Sequence, residues 1–278
     1  MKLYVSAKKY KSCHPAPLFR LSIQRMRIAL ISDVHGNLIS LEAVLADIER
    51  QKVNEIIFLG DAATLGPQPH EVLQLLKKLG CPCIIGNHET YLFKPALGRA
   101  YMQGTQWFND ILTWCRARLT PEDYTFMRSF QPMLKIKLEG NNTLICFHGS
   151  PRRHTDNILA TTPNPELNEM LAGRRATVMA GGHTHVQMMR QHMGILIVNS
   201  GSVGMPFEQM PFGERGPRVM PWAEYSIISS KDGLVSIDLR RIPVDIQAIK
   251  QAGIDARMPE TSDWLHNWIS ITEMLNQL

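Results

Sequence analysis

No stretch of this chain is apolar for long enough to cross a bilayer, which takes about 20 consecutive residues. Cysteine is scarce, with 5 thiols in 278 residues, so a disulfide framework is not expected and a reducing compartment is favoured. Residues 1–25 lack the continuous apolar segment of a secretory signal. We therefore expect a cytoplasmic protein without a membrane partner.

Acidic residues are missing from the start of the chain. Residues 1–25 carry six basic side chains and no acidic one, whereas the whole chain has 30 basic and 25 acidic residues and a net charge of +5. The rest of the chain thus has a net charge of −1, and a nucleic-acid partner is not expected. We predict that residues 1–25 are a basic extension, disordered or removed, and that Met26 begins the folded domain.

Beyond the extension, short apolar runs alternate with helical patterns. Strands are predicted at residues 27–32, 56–59 and 84–85, and amphipathic helices follow the first two. Such an alternation of uninterrupted apolar strands with helices predicts an α/β fold whose sheet is covered on both faces. Aromatic and helix-forming residues then dominate residues 91–131, which we interpret as a helical cap between strands.

The second half of the chain returns to strands. They are predicted at residues 144–147, 177–180 and 195–198, and a hairpin joins residues 225–228 to 235–239. We expect these strands to complete a single domain, residues 26–245. The polar residues 246–278 are predicted to form a C-terminal helical tail, in which Trp264 and Trp268 are packing residues.

Residue types that bind metals follow these strands. Asp33 and His35 come directly after the first strand, and side chains at i and i+2 of an extended segment point the same way. Both can therefore grip one metal ion while Gly36 lets the backbone turn; the alternative is that Asp33 caps the next helix and His35 is a loop residue. Similar polar side chains lie directly after the later predicted strands or in the same turn as such a residue. They are Asp61, Asn87, His88, His148, His183 and His185.

This set of side chains predicts a metal site. In layered α/β folds the carboxyl ends of the strands open onto the ligand crevice, so these groups are expected to converge there. Oxygen ligands combined with imidazoles suit Mn²⁺, Fe, Zn²⁺ or Co²⁺ and are too rich in nitrogen for Ca²⁺ or for Mg²⁺ alone. Two such ions bridged by a carboxylate can generate hydroxide and clamp the oxygens of an in-line displacement at phosphorus. Any one of the histidines alone is more often structural, but their joint position at strand ends favours metal binding.

The same residues lie in blocks that resemble the signatures of the calcineurin-like metallophosphoesterases. In chain order the blocks are Asp33-Val34-His35-Gly36-Asn37, Gly60-Asp61, Gly86-Asn87-His88-Glu89, His148-Gly149-Ser150-Pro151 and Gly182-His183-Thr184-His185. Further segments are similar to the YfcE-like prokaryotic phosphodiesterases within that superfamily: Leu65-Gly66-Pro67, Asn199-Ser200-Gly201-Ser202-Val203-Gly204 and Arg240-Arg241-Ile242-Pro243. The resemblance covers about residues 26–245.

The resemblance implies a four-layer αββα sandwich of two mixed sheets, with a dinuclear metal site at one edge of the sheets. It also implies that His88 binds no metal and instead faces the substrate, where it protonates the leaving oxygen or stabilises the developing charge. An imidazole that titrates near neutral pH can supply such a proton. The metals would be two divalent transition ions, manganese foremost, with iron, cobalt, nickel or zinc as alternatives. The implied ligands form one set for each metal and a bridge: Asp33, His35 and His185; Asn87, His148 and His183; and, bridging, Asp61.

One departure from the phosphodiesterase pattern suggests a protein phosphatase as an alternative activity. Glu89 stands where aspartate is commoner, and the run Gly86-Asn87-His88-Glu89 is similar to that of the serine/threonine protein phosphatases. Those phosphatases, however, carry an Asp-Arg-Gly run after their Gly-Asp, whereas this chain reads Ala62-Ala63-Thr64-Leu65-Gly66. The protein-phosphatase alternative is weakened accordingly.

Our leading hypothesis is a metal-dependent phosphodiesterase of small or nucleotide-like substrates that uses a metal-bridging hydroxide for in-line attack. The main alternative is a catalytically silent, metal-binding scaffold of the same fold, which a retromer subunit illustrates. Arg152 and Arg153 follow His148 closely enough to reach a second phosphate; alternatively, both are solvated loop arginines. A small phosphoester is the expected partner, and a homodimer is an open alternative to a monomer.

Overall fold

Two mixed β-sheets lie at the centre of the fold. The computed structural model describes residues 26–210, 212 and 217–275, so the predicted extension at residues 1–25 lies outside the described residues. In the first sheet the strands follow the order β2 (Glu55–Phe58), β1 (Met26–Ile31), β8 (Trp222–Lys231) and β9 (Leu234–Pro243). In the second sheet the order is β3 (Leu134–Lys137), β4 (Thr143–Cys146), β5 (Val178–Gly181), β7 (Ile195–Asn199) and β6 (Met188–His192).

Each sheet combines parallel and antiparallel pairs of strands. β1 is parallel to β2 and antiparallel to β8, with Ala29 opposite both Ile56 and Ile227. In the second sheet β4, β5 and β7 are parallel, whereas β3 and β6 are antiparallel strands at the edges. The parallel strands of a sheet end at the same edge, so the segments that follow them start close together.

The two sheets pack face to face. Successive residues of a strand point to opposite faces, and Ile28 of β1 lies in a buried core with Leu144 of β4 and Val178 of β5. Its neighbour Ala29 lies in a second core on the other face of the first sheet. Burial on both faces explains why these strands are apolar without interruption.

Helices cover the outer faces of both sheets. The core outside the first sheet includes residues of α1 (Leu38–Gln51), α2 (Pro69–Leu79), α3 (Asn87–Phe93), α5 (Gln106–Arg116) and α6 (Pro121–Arg128). α4 (Pro95–Tyr101) lies beside α3, and α7 (Asn164–Leu171) packs on the outer face of the second sheet. The layers are therefore helices, sheet, sheet and helix, which confirms the predicted four-layer αββα sandwich of two mixed sheets.

The strand predicted at residues 84–85 is reduced to two isolated β-bridges at residues 83 and 84. Cys83 forms a parallel bridge with Phe58, and Ile84 forms one with Gln131. The pairing ends there because the chain turns at Gly86, the N-cap of α3. The four helices α3–α6 then occupy the stretch in which the helical cap is predicted.

Two edge strands were missed and the hairpin is longer than predicted. β3 alternates apolar with lysine residues over four positions, and β6 reads Met-Met-Arg-Gln-His. Neither contains a continuous apolar run, because an edge strand is only partly covered. β8 and β9 each extend over 10 residues, since β8 is buried between β1 and β9.

Three helices follow the hairpin, namely α8 (Ile246–Asp255), α9 (Thr261–Asn267) and α10 (Ile271–Leu275). Trp264 and Trp268 are buried there with Ile249, in a cluster that also contains Met205 and Val219. Both tryptophans are packing residues, as predicted. Among the helices that the structure describes, none is both long and apolar enough to cross a membrane.

Candidate metal centre

Loops at the carboxyl ends of four strands meet beside the N-terminus of α3. These loops follow β1, β2, β4 and β5. The structure brings all seven predicted metal ligands together in this place, and all but His183 are at least 95% buried: Asp33, His35, Asp61, Asn87, His148, His183 and His185.

The ligands sit in left-handed turns rather than in extended strands. The φ angle is 54° at Asp33, 47° at His35, 62° at Asp61, 70° at His183 and 56° at His185. This conformation is uncommon for residues other than glycine, and it concentrates at functional sites. Asp33 and His35 therefore do not share a face of an extended segment, and that prediction is wrong. β1 ends at residue 31, and tight turns orient these side chains instead.

Backbone hydrogen bonds hold the turn after β1. The N–H groups of Asp33 and His35 donate to the carbonyls of Gly60 and Asp61, at 2.9 and 3.0 Å. The alternative in which Asp33 caps the next helix is also wrong, since the side chain of Asn37 caps α1 by accepting from the Ser40 N–H at 3.0 Å. The turns after β1 and β2 are thus fastened to each other.

Two glycines let the loops approach one another closely. A Cβ atom on Gly86 would overlap the Asp61 carboxylate, and one on Gly182 would overlap the side chains of Ser32 and Asp33. Both positions are therefore restricted to glycine by the ligands they adjoin.

The ligand atoms form two groups that Asp61 joins. In the first group, His185 Nε2 lies 3.3 Å from Asp33 Oδ1 and 3.0 Å from His35 Nε2. In the second, His148 Nε2 lies 3.1 Å from Asp61 Oδ2 and 3.0 Å from Asn87 Oδ1. The same Asp61 oxygen lies 3.8 Å from His35 Nε2, so it faces both groups. His183 belongs to the second group, with its ligand atom within 4.8 Å of those of Asp61 and His148.

Backbone carbonyls fix the orientation of the imidazole rings. Because a carbonyl only accepts hydrogen bonds, Nδ1 of each ring must carry a proton, and a neutral ring then presents the lone pair of Nε2. The Nε2 atoms of His35 and His185 lie 3.0 Å apart, so at most one proton lies between them. A cation bound by both would replace this contact. The Nδ1 contacts are His35 to Thr64 O at 3.1 Å, His148 to Leu59 O at 2.8 Å and His185 to Met205 O at 2.7 Å.

Two buried polar atoms of the cluster lack a protein partner. Asp33 Oδ1 and His183 Nε2 accept no hydrogen bond from any residue that the structure describes. Leaving such atoms unsatisfied costs about 1–3 kcal/mol each, and more for a charged group. A divalent cation would satisfy both, and the mixed oxygen and nitrogen donors are those that manganese, iron, cobalt, nickel and zinc accept. The residues present thus fit a metal centre.

The electrostatics of the cluster favour bound cations. Burial raises the pKa of Asp33, but the neighbouring His185 and His148 lower it to about 2. Burial and the charge of His148 lower the pKa of His183 to about 3, so this imidazole is neutral. Burial opposes a charge on His148, yet Asp61 and Asp33 raise its pKa to about 10. The carboxylates therefore hold a proton on His148 that a metal ion would displace.

His88 is oriented by two contacts to the loop after β2. Its backbone N–H donates to Asp61 Oδ1 at 2.9 Å, and its Nδ1 lies 2.6 Å from the hydroxyl of Thr64. Nε2 is then the ring nitrogen available to a substrate. Burial is the main cause that lowers the pKa of His88. Its ligand atom also lies within 4.8 Å of those of His35 and Asp61, so the role of His88 as proton donor rather than ligand stays a prediction.

Two residues that position the site were not assigned a role from the sequence. Thr64 is buried and bonds to His88 through its hydroxyl and to His35 through its carbonyl. The carboxylate of Glu89 accepts the N–H groups of Asp61, Ala62 and Gly86 at 3.0, 2.7 and 2.7 Å. Burial and the charge of Asp61 raise the pKa of Glu89 to about 7.

Both residues lie in segments that the sequence analysis sets apart, namely Gly86-Asn87-His88-Glu89 and Ala62-Ala63-Thr64-Leu65-Gly66. Their position in these segments was the available signal for both roles.

The two loop arginines bind a carboxylate of their own loop. Arg152 Nε lies 2.9 Å from Asp156 Oδ2, and Arg153 Nη2 lies 2.9 Å from Asp156 Oδ1. Arg152 also lies 3.5 Å from Glu169. These pairs support the loop alternative over contact with a second phosphate.

Two known proteins resemble this chain over most of its length, and a third resembles about a third of it. An uncharacterized protein of Methanocaldococcus jannaschii, MJ0912, is 25% identical over 251 residues, which are 86% of this chain and 95% of its relative. The fold is similar to that of a metallophosphoesterase from Sphaerobacter thermophilus, with a TM-score of 0.66 and 24% identity over 87% of this chain and 98% of that one. A symmetrical bis(5'-nucleosyl)-tetraphosphatase of Pectobacterium atrosepticum is 32% identical over 91 residues, 32% of each chain.

The family of the chain follows from a match that spans its metal centre. The likeness to the YfcE phosphoesterase from E. coli, at 20% identity and a TM-score of 0.44, does not decide the subgroup, and the YfcE-like assignment stays a prediction. Residues 26–214 match the calcineurin-like phosphoesterase superfamily domain. As the sequence blocks predict, this chain belongs to the calcineurin-like phosphoesterase superfamily.

Proposed function

We propose that this protein is a dinuclear-metal phosphodiesterase that hydrolyses small or nucleotide-like phosphodiesters. The observation that carries the proposal is the position of Asp61, whose Oδ2 lies 3.1 Å from His148 Nε2 in one ligand group and 3.8 Å from His35 Nε2 in the other. A carboxylate shared in this way can bridge two cations.

Two divalent ions bound here would supply hydroxide for in-line attack and neutralise charge on the phosphoryl oxygens. Manganese is our first choice, with iron, cobalt, nickel and zinc as alternatives, because the donors are carboxylates, an amide and imidazoles. We assign the ligands as the family resemblance implies: Asp33, His35 and His185 for one ion, Asn87, His148 and His183 for the other, and Asp61 for both.

His88 would donate a hydrogen bond to the leaving oxygen and stabilise the negative charge that develops on it. Its lowered pKa keeps the ring neutral near pH 7, so the position of its single proton matters. If the hydroxyl of Thr64 donates to His88 Nδ1 across their 2.6 Å contact, the ring proton lies on Nε2, which faces away from Thr64. The neutral ring is then already a donor to the substrate.

Nucleotide-like substrates are supported by one relative. The 91 residues that are 32% identical to a symmetrical bis(5'-nucleosyl)-tetraphosphatase make a nucleoside-bearing ester the first substrate class to test. A small phosphoester remains the expected partner, and we propose a cytoplasmic location.

The test is hydrolysis of bis(p-nitrophenyl) phosphate and p-nitrophenyl phosphate by protein that has been stripped of metal and resupplied with Mn²⁺. We expect manganese-dependent cleavage of the diester, lost in His88→Ala and Asp61→Ala. His266→Ala, at an exposed histidine of α9, is the control and should leave the rate unchanged.

Each alternative predicts a different outcome. Two bound ions per chain without hydrolysis of either ester would favour the scaffold. Release of phosphate from phosphoserine peptides, with the diester untouched, would favour a protein phosphatase. Either result would overturn the proposal.

A further inference from the structure

The helices of the cap place aromatic rings on one side of His88. We call Tyr91, Tyr101, Trp107 and Phe108 the aromatic wall. The ring centroids of Tyr91 and Phe108 lie 5.4 and 5.8 Å from that of His88. Tyr101 lies 5.7 Å from Tyr91, and Trp107 lies 5.7 Å from Phe108. The wall therefore begins at the residue proposed to face the substrate and continues outward.

The wall has a buried inner layer and an exposed outer layer. Tyr91 and Phe108 are 3% and 1% exposed, whereas Tyr101 and Trp107 are 44% and 40% exposed. α4 packs directly on the inner layer because Gly98 has no side chain, and a Cβ there would lie 3.0 Å from Tyr91. The inner rings are thus held rigidly, and the outer ring faces are accessible to a ligand.

The hydroxyl of Tyr91 is buried without a hydrogen-bond partner among the described residues. It approaches the side chain of Asn87, a proposed metal ligand. The inner layer of the wall therefore adjoins the metal centre, and the outer layer is the part that a ligand can reach.

We propose that the aromatic wall binds the nucleobase of a nucleotide ester whose phosphate lies at the metal centre. Tyr101 would stack on the base. This inference rests on the proposed function and narrows its substrate class to nucleoside-bearing esters.

A planar ligand is favoured by the chemistry of the wall. The faces of aromatic side chains stack on nucleobases with little dependence on base identity, because every base has a π-face. An aliphatic ester could bury apolar surface against these rings but could not stack on their planar faces. We therefore expect recognition of a base without strong preference among bases.

The experiment compares two ligands that differ only in the base. Binding of AMP and of ribose 5-phosphate to the manganese-loaded full chain is measured by calorimetry, with the hydrolysis of bis(p-nitrophenyl) phosphate followed in the same preparation. Stacking on an aromatic residue predicts that AMP binds about tenfold more tightly. Tyr101→Ala should remove most of this preference and Tyr101→Phe should keep it. Leu234→Ala, in the exposed turn of the β8–β9 hairpin, is the control and should change neither affinity.

Two outcomes would overturn the assignment. Equal affinities for AMP and ribose 5-phosphate would exclude a base site, while intact hydrolysis of the test diester would leave the proposed function standing. A preference lost in Phe212→Ala but kept in Tyr101→Ala would place the base on Phe207, which stacks on His185, and on Phe212, which contacts Phe207 edge-on. Failure of hydrolysis with the AMP preference intact would instead count against the proposed function alone.

Discussion

Replacing Thr64 by valine separates the orientation of His88 from the binding of metal. Valine has nearly the same shape as threonine but lacks the hydroxyl, which lies 2.6 Å from His88 Nδ1. The carbonyl of residue 64, which accepts from His35 Nδ1 at 3.1 Å, belongs to the backbone and is retained. We therefore expect Thr64→Val to lower kcat while the metal content stays unchanged.

The size of the effect follows from the hydrogen bond that is lost. Removing one partner of a buried polar pair costs about 1–3 kcal/mol, which corresponds to about 5- to 150-fold in rate if the cost falls on the transition state. KM should change little. Thr64 is only 1% exposed, and its hydroxyl contacts His88 rather than a position that the substrate can reach.

The assay is steady-state hydrolysis of bis(p-nitrophenyl) phosphate, with metal content measured on the same samples. Thr64→Ser keeps a hydroxyl and should restore most of kcat, which a purely structural role for the methyl group would not allow. Wild-type kcat in Thr64→Val, or equal losses in both variants, would refute the proposed positioning of His88.

Three further predictions concern the metals and the loop that carries Asp61. Asp61→Asn should reduce the manganese bound per chain and lower kcat by about 100-fold; full occupancy with an unchanged rate would contradict a bridging role. Chelation should lower Tm by several degrees, since a ligand at 100 times its Kd stabilises the fold by about 2.7 kcal/mol, and equal Tm values with and without Mn²⁺ would speak against a resident metal. Glu89→Gln should lower the free energy of unfolding in urea by about 1–3 kcal/mol because one acceptor oxygen becomes an NH₂ group facing backbone N–H donors. The exposed control Glu49→Gln should be neutral; equal stability of both variants would exclude the proposed role of Glu89.

The positions of the predicted ligands were accessible from the sequence because each lies beside the end of an apolar run. Ile28 to Ile31 and Val178 to Ala180 are buried on both faces, which requires an uninterrupted apolar pattern, and a polar residue after such a run marks the strand end. The layered architecture followed from the same runs together with the family resemblance. The edge strands were not predicted because a strand that is only partly buried does not need an uninterrupted apolar pattern, as β6 shows.

The reason for the convergence of ligands was not accessible from the sequence. Strand alternation suggested that Asp33 and His35 share a face, but both have positive φ angles of 54° and 47°. Left-handed turns by aspartate and histidine leave no distinctive local pattern. Only the backbone hydrogen bonds to Gly60 and Asp61, which join segments that are distant in the chain, impose these angles.

The same long-range dependence explains why the positioning residues were missed. Thr64 and His88 are 24 residues apart, and Glu89 reaches back 28 residues to the Asp61 N–H. Neither pair has a sequence spacing that a helix or strand would fix. Their roles arise only when the start of α3 is placed against the loop after β2, which requires the packed fold.

Strained turns and orphaned acceptors have one physical explanation. Each is unfavourable for the protein alone: left-handed turns cost about 1–2 kcal/mol per residue, and Asp33 Oδ1 and His183 Nε2 have no donor among the described residues. A fold keeps such features only where the surrounding structure over-determines them and a ligand relieves them. Here the fully buried cores on both faces of the first sheet supply the rigidity, and cations between the two ligand groups would supply the relief. The cluster is therefore better understood as a preorganised binding site than as part of the stabilising core.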